Sequence, residues 1–409
     1  MRNGLRVISE HMPSVRSVSL GIWIDTGSRY EGPFDNGVSH FIEHMLFKGT
    51  RRRTARQIAA SLESLGGNLN AFTSREHTCY TARILDENLA TAIDVLADMT
   101  CHATFTPLNL RREKKVICEE IREVEGNPAE RIHDIFSDAF WGNHPLGRPI
   151  VGTPRTVTDF KRHRVLDFMS RHYRSGTIVI AAAGCVSHQK LLRLVRDNFD
   201  FPTGRAEPAE NACREKEQCL TLKAADNPQT HLCLGYPGLD FTNEYRIPAV
   251  ALNSYLGSGM SSVLFQKVRE QRGLAYSIYS FHDFYSDAGV CGAYMATDRN
   301  QIRQALDIVL GEFEKVKKRR LPQSRLDKIK SQLKGQLAIG LESTTGRMNR
   351  LARLELMGLP FRSHQQILRE VNAVTSGQIL NLANRLFDRS RLAIAVLGPV
   401  ADGDLDGVL

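Results

Sequence analysis

His40, Glu43 and His44 stand close together in the stretch Val38-Ser39-His40-Phe41-Ile42-Glu43-His44-Met45-Leu46-Phe47. At about 100° per residue a helix over 38–47 puts these three and Phe47 on one face, while Phe41, Ile42, Met45 and Leu46 cover the others. A helix that is apolar nearly all round belongs in a core, so it carries three ionisable groups into a low dielectric, which is costly without a partner. A divalent cation is such a partner. Two imidazoles four residues apart point the same way and can share one ion, and a carboxylate between them can hold a water molecule there and take its proton. Histidine pairs at this spacing also arise by chance in ordinary helices, so a third ligand has to decide between the readings.

The other acidic segment of this half, a helix expected over 111–125, offers Glu113, Glu119, Glu120, Glu123 and Glu125. Val116, Ile117, Ile121 and Val124 define its inward stripe, with Glu113 and Glu120 near the middle and the other three at its edges or outside. Two carboxylates two turns apart on a buried stripe need a cation or donors just as the histidines do. Glu120 is assigned as the third ligand and Glu113 as a carboxylate that orients the site from behind.

These stretches resemble the inverted-zincin peptidases, the family of pitrilysin, insulin-degrading enzyme and the mitochondrial processing peptidase beta subunit, and above all its short bacterial members. The order His-x-x-Glu-His reverses the commoner His-Glu-x-x-His motif. The resemblance rests on His40-Phe41-Ile42-Glu43-His44-Met45-Leu46-Phe47-Lys48-Gly49-Thr50 and on Val116-Ile117-Cys118-Glu119-Glu120-Ile121, in which Glu120 follows His44 by 76 positions as the family's third ligand does. Pro145-Leu146-Gly147, Ile150-Val151-Gly152, and Gly259-Met260-Ser261-Ser262 leading into Val268-Arg269-Glu270 extend it over almost the whole chain.

The resemblance implies a zinc-dependent endopeptidase with one Zn2+ per chain on His40, His44 and Glu120. Two imidazoles and a carboxylate suit that ion. Glu43 then takes the proton of the attacking water and passes it to the leaving amine. The resemblance also implies that Asn70, Ala71, Phe72 and Thr73 receive an extended substrate at a sheet edge, though the residues alone equally allow an ordinary strand after a turn. Arg269 and Tyr276, unremarkable in themselves, are implied to stabilise the oxyanion over the scissile carbonyl.

The elements that must position these groups occur twice. Val18-Ser19-Leu20-Gly21 opens a strand followed by helices, and His231-Leu232-Cys233-Leu234-Gly235 does the same in the second half. Gly66-Gly67-Asn68-Leu69-Asn70-Ala71 opens strands before a helix over 87–100; Gly273-Leu274-Ala275-Tyr276-Ser277 opens strands before one over 299–317. Both halves close on a helix and an apolar strand, at 177–184 and 392–398. The fold expected is α+β, with two tandem homologous units of antiparallel-rich sheet packed with helices, half of a four-unit clamshell. The catalytic unit spans 1–200 and the non-catalytic unit 218–409. The polar, proline-bearing stretch 201–217 links them. Ser254, Gly257 and Ser258 fall roughly where ligands would stand in the second half, and its helix over 325–341 has no ligand glutamate, so only the first half is expected to hold metal.

A length of 409 residues accommodates two or three domains, and 42% hydrophobic with 24% charged residues is ordinary for a soluble globular chain. No apolar run approaches the roughly 20 residues that span a bilayer, and Met1-Arg2-Asn3-Gly4-Leu5-Arg6-Val7 leads straight into a strand. The expected location is cytoplasmic, or an organelle for a chain shorn of its transit peptide. The eight cysteines are scattered and read as reduced, with Cys118 a neighbour of the site. The net charge of +9 gathers in Arg51-Arg52-Arg53 and Lys315-Val316-Lys317-Lys318-Arg319-Arg320 without interleaved aromatics, which reads as solvated faces and not a nucleic-acid footprint.

The partner expected is a peptide substrate, with neither nucleic acid nor membrane. Long members of the family carry four units in one chain, so a homodimer is expected here, with Arg269 and Tyr276 serving the partner's zinc. A heterodimer with an inactive sister chain and a monomer stay open, as does a non-catalytic structural subunit.

Overall fold

Ile178-Val179-Ile180-Ala181-Ala182-Ala183-Gly184 is apolar throughout, and Ser17-Val18-Ser19-Leu20-Gly21-Ile22-Trp23-Ile24 alternates large apolar residues with small ones up to Trp23 and carries no charge, as in strands covered on both faces. In the computed structural model, which describes residues 1–212, 218–401 and 403–408, both are central strands. The strands are β1 (Arg6–His11), β2 (Ser17–Ile24), β3 (Asn68–Thr73), β4 (Thr78–Leu85) and β5 (Ile178–Gly184), then β6 (Cys219–Ala224), β7 (Thr230–Pro237), β8 (Ala275–Phe284), β9 (Gly289–Thr297) and β10 (Ala393–Gly398). They form two five-stranded sheets, β1-β5-β2-β4-β3 and β6-β10-β7-β9-β8. The two orders are the same when counted within each half. In each sheet the outermost pair, β1 with β5 and β6 with β10, is parallel and the other pairs are antiparallel. The duplicated α+β architecture is thereby present strand by strand.

The expected helices are found with shifted ends. Those over 38–47 and 111–125 are Val38–Leu46 and Pro107–Gly126, and that over 325–341 is Gln323–Gly340. Those expected from 87 and 299 begin as tight 3-10 turns, Asp86–Asn88 and Arg299–Gln301, before the helices Leu89–His102 and Ile302–Lys318. First turns often take the tighter form, which periodicity does not distinguish from α-helix.

The compact units are not contiguous in sequence. One comprises Met1–Arg122, Arg148–Glu210 and Ile339–Phe361; the other Glu123–Gly147, Asn211–Ala338 and Arg362–Leu409. The contiguous ranges 1–200 and 218–409 miss this exchange, although a crossing at Glu210 falls within 201–217. In the first unit the helix Thr344–Leu356, from late in the chain, lies on β1, β2 and β5. Its Met348 and Ala352 are buried with Trp23, Cys79, Val179 and Ala181, and the Trp23 indole N–H donates to Met348 Sδ at 3.3 Å. In the second unit the helix Pro128–Trp141, from early in the chain, lies on β6, β7 and β10. There Gly235 makes room for Phe136, whose Cζ would stand 2.7 Å from a Cβ at that position. Sheets apolar on both faces need two covers, and each unit takes the second from the other half of the chain. Periodicity shows that a helix has an apolar face, but not which sheet receives it.

Replacing Met348 with Ala should therefore destabilise the first unit by about 2–5 kcal/mol, the usual cost of emptying a buried methionine site. Urea titration of the Trp141→Phe background, where Trp23 is the remaining tryptophan, reads this directly. A loss well under 1 kcal/mol would show that the exchanged helix contributes little.

Candidate metal centre

The helix Val38–Leu46 starts abruptly after Gly37, whose φ of +92° suits glycine. Val38, Phe41, Ile42, Met45 and Leu46 are buried in the same core as Ile22, Ile24, Tyr80 and Leu96. That packing fixes the rotation of the helix and turns His40 and His44 toward the helix Pro107–Gly126 and Glu43 toward β3. The chain after it is also tied down. Asp98, fully buried, accepts from Thr50 Oγ1 at 2.7 Å, Arg52 Nε at 3.1 Å and Arg53 Nη1 at 2.6 Å, and Asp94 pairs with both arginines. Arg52 and Arg53 are thus tied to Asp94 and Asp98 in an ion-pair network, while Arg51 and Arg52 stay exposed, so the cluster is a solvated face that also anchors the chain. Reading charge runs one at a time missed the acidic partners four residues apart on another helix.

His40 and His44 place their ring centroids 4.6 Å apart. Glu120 faces both, with Oε1 3.5 Å from His40 Nε2 and Oε2 3.6 Å from His44 Nε2. These separations are too long for good hydrogen bonds. They do match two donors sharing one tetrahedral ion with bonds of about 2.0–2.2 Å, which sets ligands about 3.4 Å apart. One donor atom from each of His40, His44 and Glu120 lies within 4.8 Å of the others, so the three can hold a metal ion. Burial, with neighbouring His44, pushes the pKa of His40 down to about 3, leaving the neutral imidazole that ligation requires. The residues present fit zinc.

Behind His44, Nδ1 lies 3.3 Å from Glu113 Oε2, and Lys48 Nζ lies 3.0 Å from Glu113 Oε1. Burial alone would raise the pKa of Glu113, but hydrogen bonds with His44 and Lys48 outweigh it and hold the carboxylate below its ordinary value. Glu113 thus stands between His44 and Lys48. Lys48 was missed as a contributor, although its spacing of one turn after His44 is a signal that puts it on the same face. No comparable partner stands behind His40, whose buried Nδ1 has none among the described residues. Glu43 Oε2 accepts from Thr73 Oγ1 at 2.5 Å, and burial raises the pKa of Glu43. Thr73, expected on the substrate, has its hydroxyl on Glu43.

Thr73 ends β3, an outermost strand bonded to β4 on one side. Asn68, Asn70 and Phe72 are exposed while Leu69, Ala71 and Thr73 are half-buried, so one face of the strand is anchored. Phe72 packs edge-on against Trp23 at 5.5 Å. The strand is an edge that another strand can extend.

In the second unit Arg269 and Tyr276 come together. Arg269 lies in the π-helical turn Phe265–Glu270, its guanidinium 4.5 Å above the Tyr276 ring and 4.8 Å from that of Phe265. A register shift between Ala275 and Ser277 makes Tyr276 the extra residue of a bulge, and its side chain is 70% exposed. Bulges commonly re-aim a side chain in this way. The helices Arg246–Gly257 and Gln323–Gly340 hold the positions in element order that Val38–Leu46 and Pro107–Gly126 hold in the first unit. Ser254 Oγ bonds Gln332 Oε1 at 3.3 Å, and Gln332 Nε2 donates to Ser258 O at 3.4 Å. Neutral hydrogen bonds join these helices. Among the described residues the His40, His44 and Glu120 group is the one able to hold a metal. The seven described cysteines are free thiols, and Cys213 lies outside the described residues.

Comparison with known proteins gives the family of the chain. The family model described as insulinase (peptidase family M16) matches residues 6–154, and that described as the peptidase M16 inactive domain matches 159–333. The uncharacterized zinc protease YmxG of Bacillus subtilis is 40% identical over 399 residues, covering 97% of each chain. An uncharacterized zinc protease of Streptomyces coelicolor is 39% identical over 407 residues, 98% of this chain and 88% of that one. Among solved structures, a peptidase M16 inactive domain from Pseudomonas fluorescens superposes with a TM-score of 0.91 at 22% identity, covering 98% of this chain and 97% of the other. A chain of Complex III2 from Candida albicans does so with a TM-score of 0.84 at 19% identity, covering 100% and 96%. At such identities the superpositions speak for the fold, while the full-length relatives and the two consecutive family matches establish the lineage: the chain belongs to the insulinase family, peptidase family M16.

Proposed function

We propose that this chain is a zinc-dependent endopeptidase that cuts extended or unfolded peptides. The observation that carries the reading is the convergence of three metal donors with Glu43, itself bonded to the end of an unpaired sheet edge. The names of the relatives, zinc proteases, support it.

His40, His44 and Glu120 would hold the ion. Zinc bound there supplies Lewis acidity, which polarises a peptide carbonyl and makes water acidic enough to attack near neutral pH. Glu43 takes the proton of the attacking water and returns it to the leaving amine. Its burial makes the carboxylate a stronger base, and the Thr73 hydroxyl fixes its direction. Glu113, steadied by Lys48, keeps the His44 ring turned to the ion. A substrate strand adds to β3 through main-chain hydrogen bonds, which requires an extended backbone. Folded proteins are therefore spared.

Arg269 and Tyr276 complete the reading as oxyanion donors, with an exposed phenol and a guanidinium already stacked. We place them opposite the zinc of a second copy of the chain, in a closed homodimer that assembles four units. Neither nucleic acid nor membrane enters the reading. Among the described residues no helix is long and apolar enough to cross a membrane, and the cytoplasm is taken as the place of action. A second reading, a structural subunit without catalysis, draws on the fold likeness to Complex III2. Metal binding separates the two.

Elemental analysis of the purified chain should find about one zinc, lost on replacing His40, His44 or Glu120. The Glu43→Gln chain should keep zinc and lose turnover of a peptide library. Glu113→Gln should cost on the order of 10–100-fold in affinity or activity. Loss of metal from Glu43→Gln, with metal and activity both kept by Glu120→Gln, would overturn the assignment. For the shared site, Glu43→Gln and Tyr276→Phe chains, each nearly inactive alone, should regain activity when mixed and allowed to exchange. No recovery despite exchange seen by mass spectrometry would refute action across copies.

A further inference from the structure

We infer that Glu31 is a positioning residue for the metal centre, holding the first turn of the helix Val38–Leu46 through its peptide N–H groups and so aiming His40. Glu31 is 2% exposed, and both carboxylate oxygens are engaged. Oε2 accepts from the Gly37 N–H at 2.7 Å and from Asn36 Nδ2 at 3.2 Å, and Oε1 accepts from the Ser39 N–H at 2.8 Å. The helix has no side-chain cap of its own, because Gly37 stands at the capping position. The first N–H groups of a helix lack partners within it, and a negative charge there is favourable. Glu31 meets both demands from outside the helix.

The surroundings of Glu31 account for a motif that the catalytic reading leaves without a task. Arg148 Nη1 donates to the Glu31 carbonyl at 2.6 Å, and Asn36 Nδ2 donates to the Pro149 carbonyl at 2.9 Å. Gly152, at φ +79°, packs its backbone on that of Asn36 and Gly37: a Cβ on Gly152 would lie 2.6 Å from Asn36 O, and one on Gly37 2.7 Å from Val151 O. The Arg148 side chain and the backbone of Val151 and Gly152 thus close around Glu31 and the helix start.

The consequence for the metal centre follows from the difference between its two histidines. A metal-binding histidine is usually steered by a partner on its other nitrogen. His44 has Glu113 there, but the buried Nδ1 of His40 has no partner among the described residues. The direction of the His40 ring is therefore set by its backbone, and Ser39, the residue before it, is bonded to Glu31. Burial raises the pKa of Glu31 to about 7, and the hydrogen bonds from Ser39, Gly37 and Asn36 act in the opposite direction by favouring the carboxylate.

This inference rests on the zinc reading above, and the test separates the two. Zinc affinity is measured by chelator competition on the metal-free chain, well below its melting temperature, and kcat and KM are measured on the loaded chain. Glu31→Gln keeps the shape but sets an amide N–H2 against the donors on one side. It should weaken zinc binding about 10-fold or more and lower kcat with KM nearly unchanged. Asn36→Ala, which removes one of the three donors, should shift both in the same direction by less. Ile379→Val, a core truncation in the second unit, gives the effect of lost stability alone and should leave zinc affinity as it was. If Glu31→Gln merely melts earlier, with affinity and kcat unchanged, Glu31 is only structural and the inference fails while the zinc reading stands. If Glu31→Gln does not fold, Asn36→Ala decides by the same two readouts. If the unaltered chain binds no zinc, or binds it undiminished after His40→Ala, both readings fall together.

Discussion

A helix that belongs in the core and yet carries ionisable groups is the constraint on which the first unit depends. Phe41, Ile42, Met45 and Leu46 leave Val38–Leu46 no other place than the interior. That burial exposes His40, Glu43 and His44 to a low dielectric, where an uncompensated charge costs several kcal/mol or shifts its pKa until it is neutral. Each group meets the cost differently. His40 becomes a neutral imidazole, His44 faces a carboxylate held by Lys48, and Glu43 takes the Thr73 hydroxyl. The helix start is compensated by Glu31, and the chain after it is anchored to the buried Asp98. The helix that carries His40, Glu43 and His44 is thus held at both ends by groups that have no part in the proposed chemistry.

The second unit shows the same frame with that constraint removed. Its sheet order repeats that of the first, and its helices Arg246–Gly257 and Gln323–Gly340 stand in the corresponding places. Ser254 and Gln332 join them without charge, so no ion is needed to balance them. What this unit contributes instead is a local departure from regularity, a π-helical turn that carries Arg269 and a bulge that turns Tyr276 outward. One fold has kept its packing while its polar groups diverged, which is why architecture alone does not assign an activity.

Much of the centre was legible because its residues are close in sequence or lie on regular elements. The spacing of His40, Glu43 and His44 places them on one helical face at any tertiary arrangement, and the stripe on 111–125 separates Glu113 and Glu120 from Glu119, Glu123 and Glu125. In the structure Glu113 is buried with Ile117 and Ile121, and Glu119 is exposed and paired with Arg122, but Val116, placed on the same inward stripe, is 48% exposed because the buried face is narrower than the apolar pattern. Thr73 was singled out, but for another partner, because a strand pattern does not say which helix its last side chain meets. Glu31, Asn36 and Arg148 carried no periodic signal, since they work from loops through main-chain groups that are the same for every residue.

The amino-acid sequence by itself determined the duplication, the α+β class, and the helix faces that carry His40, Glu43 and His44 and that carry Glu113 and Glu120, because these follow from periodicity and spacing along single elements. Only the tertiary structure decided which sheet each helix covers. The apolar faces of Pro128–Trp141 and Thr344–Leu356 would suit either sheet, and the exchange that seats them in opposite units depends on shape, such as Phe136 filling the space left by Gly235 and Met348 lying under Trp23. It also decided that Arg52 and Arg53 are bound to Asp94 and Asp98 and that Glu31 accepts from the N–H groups at the start of the helix Val38–Leu46. These are contacts between segments far apart or without a repeat, and pairing of that kind depends on the packing of the whole unit rather than on any local pattern.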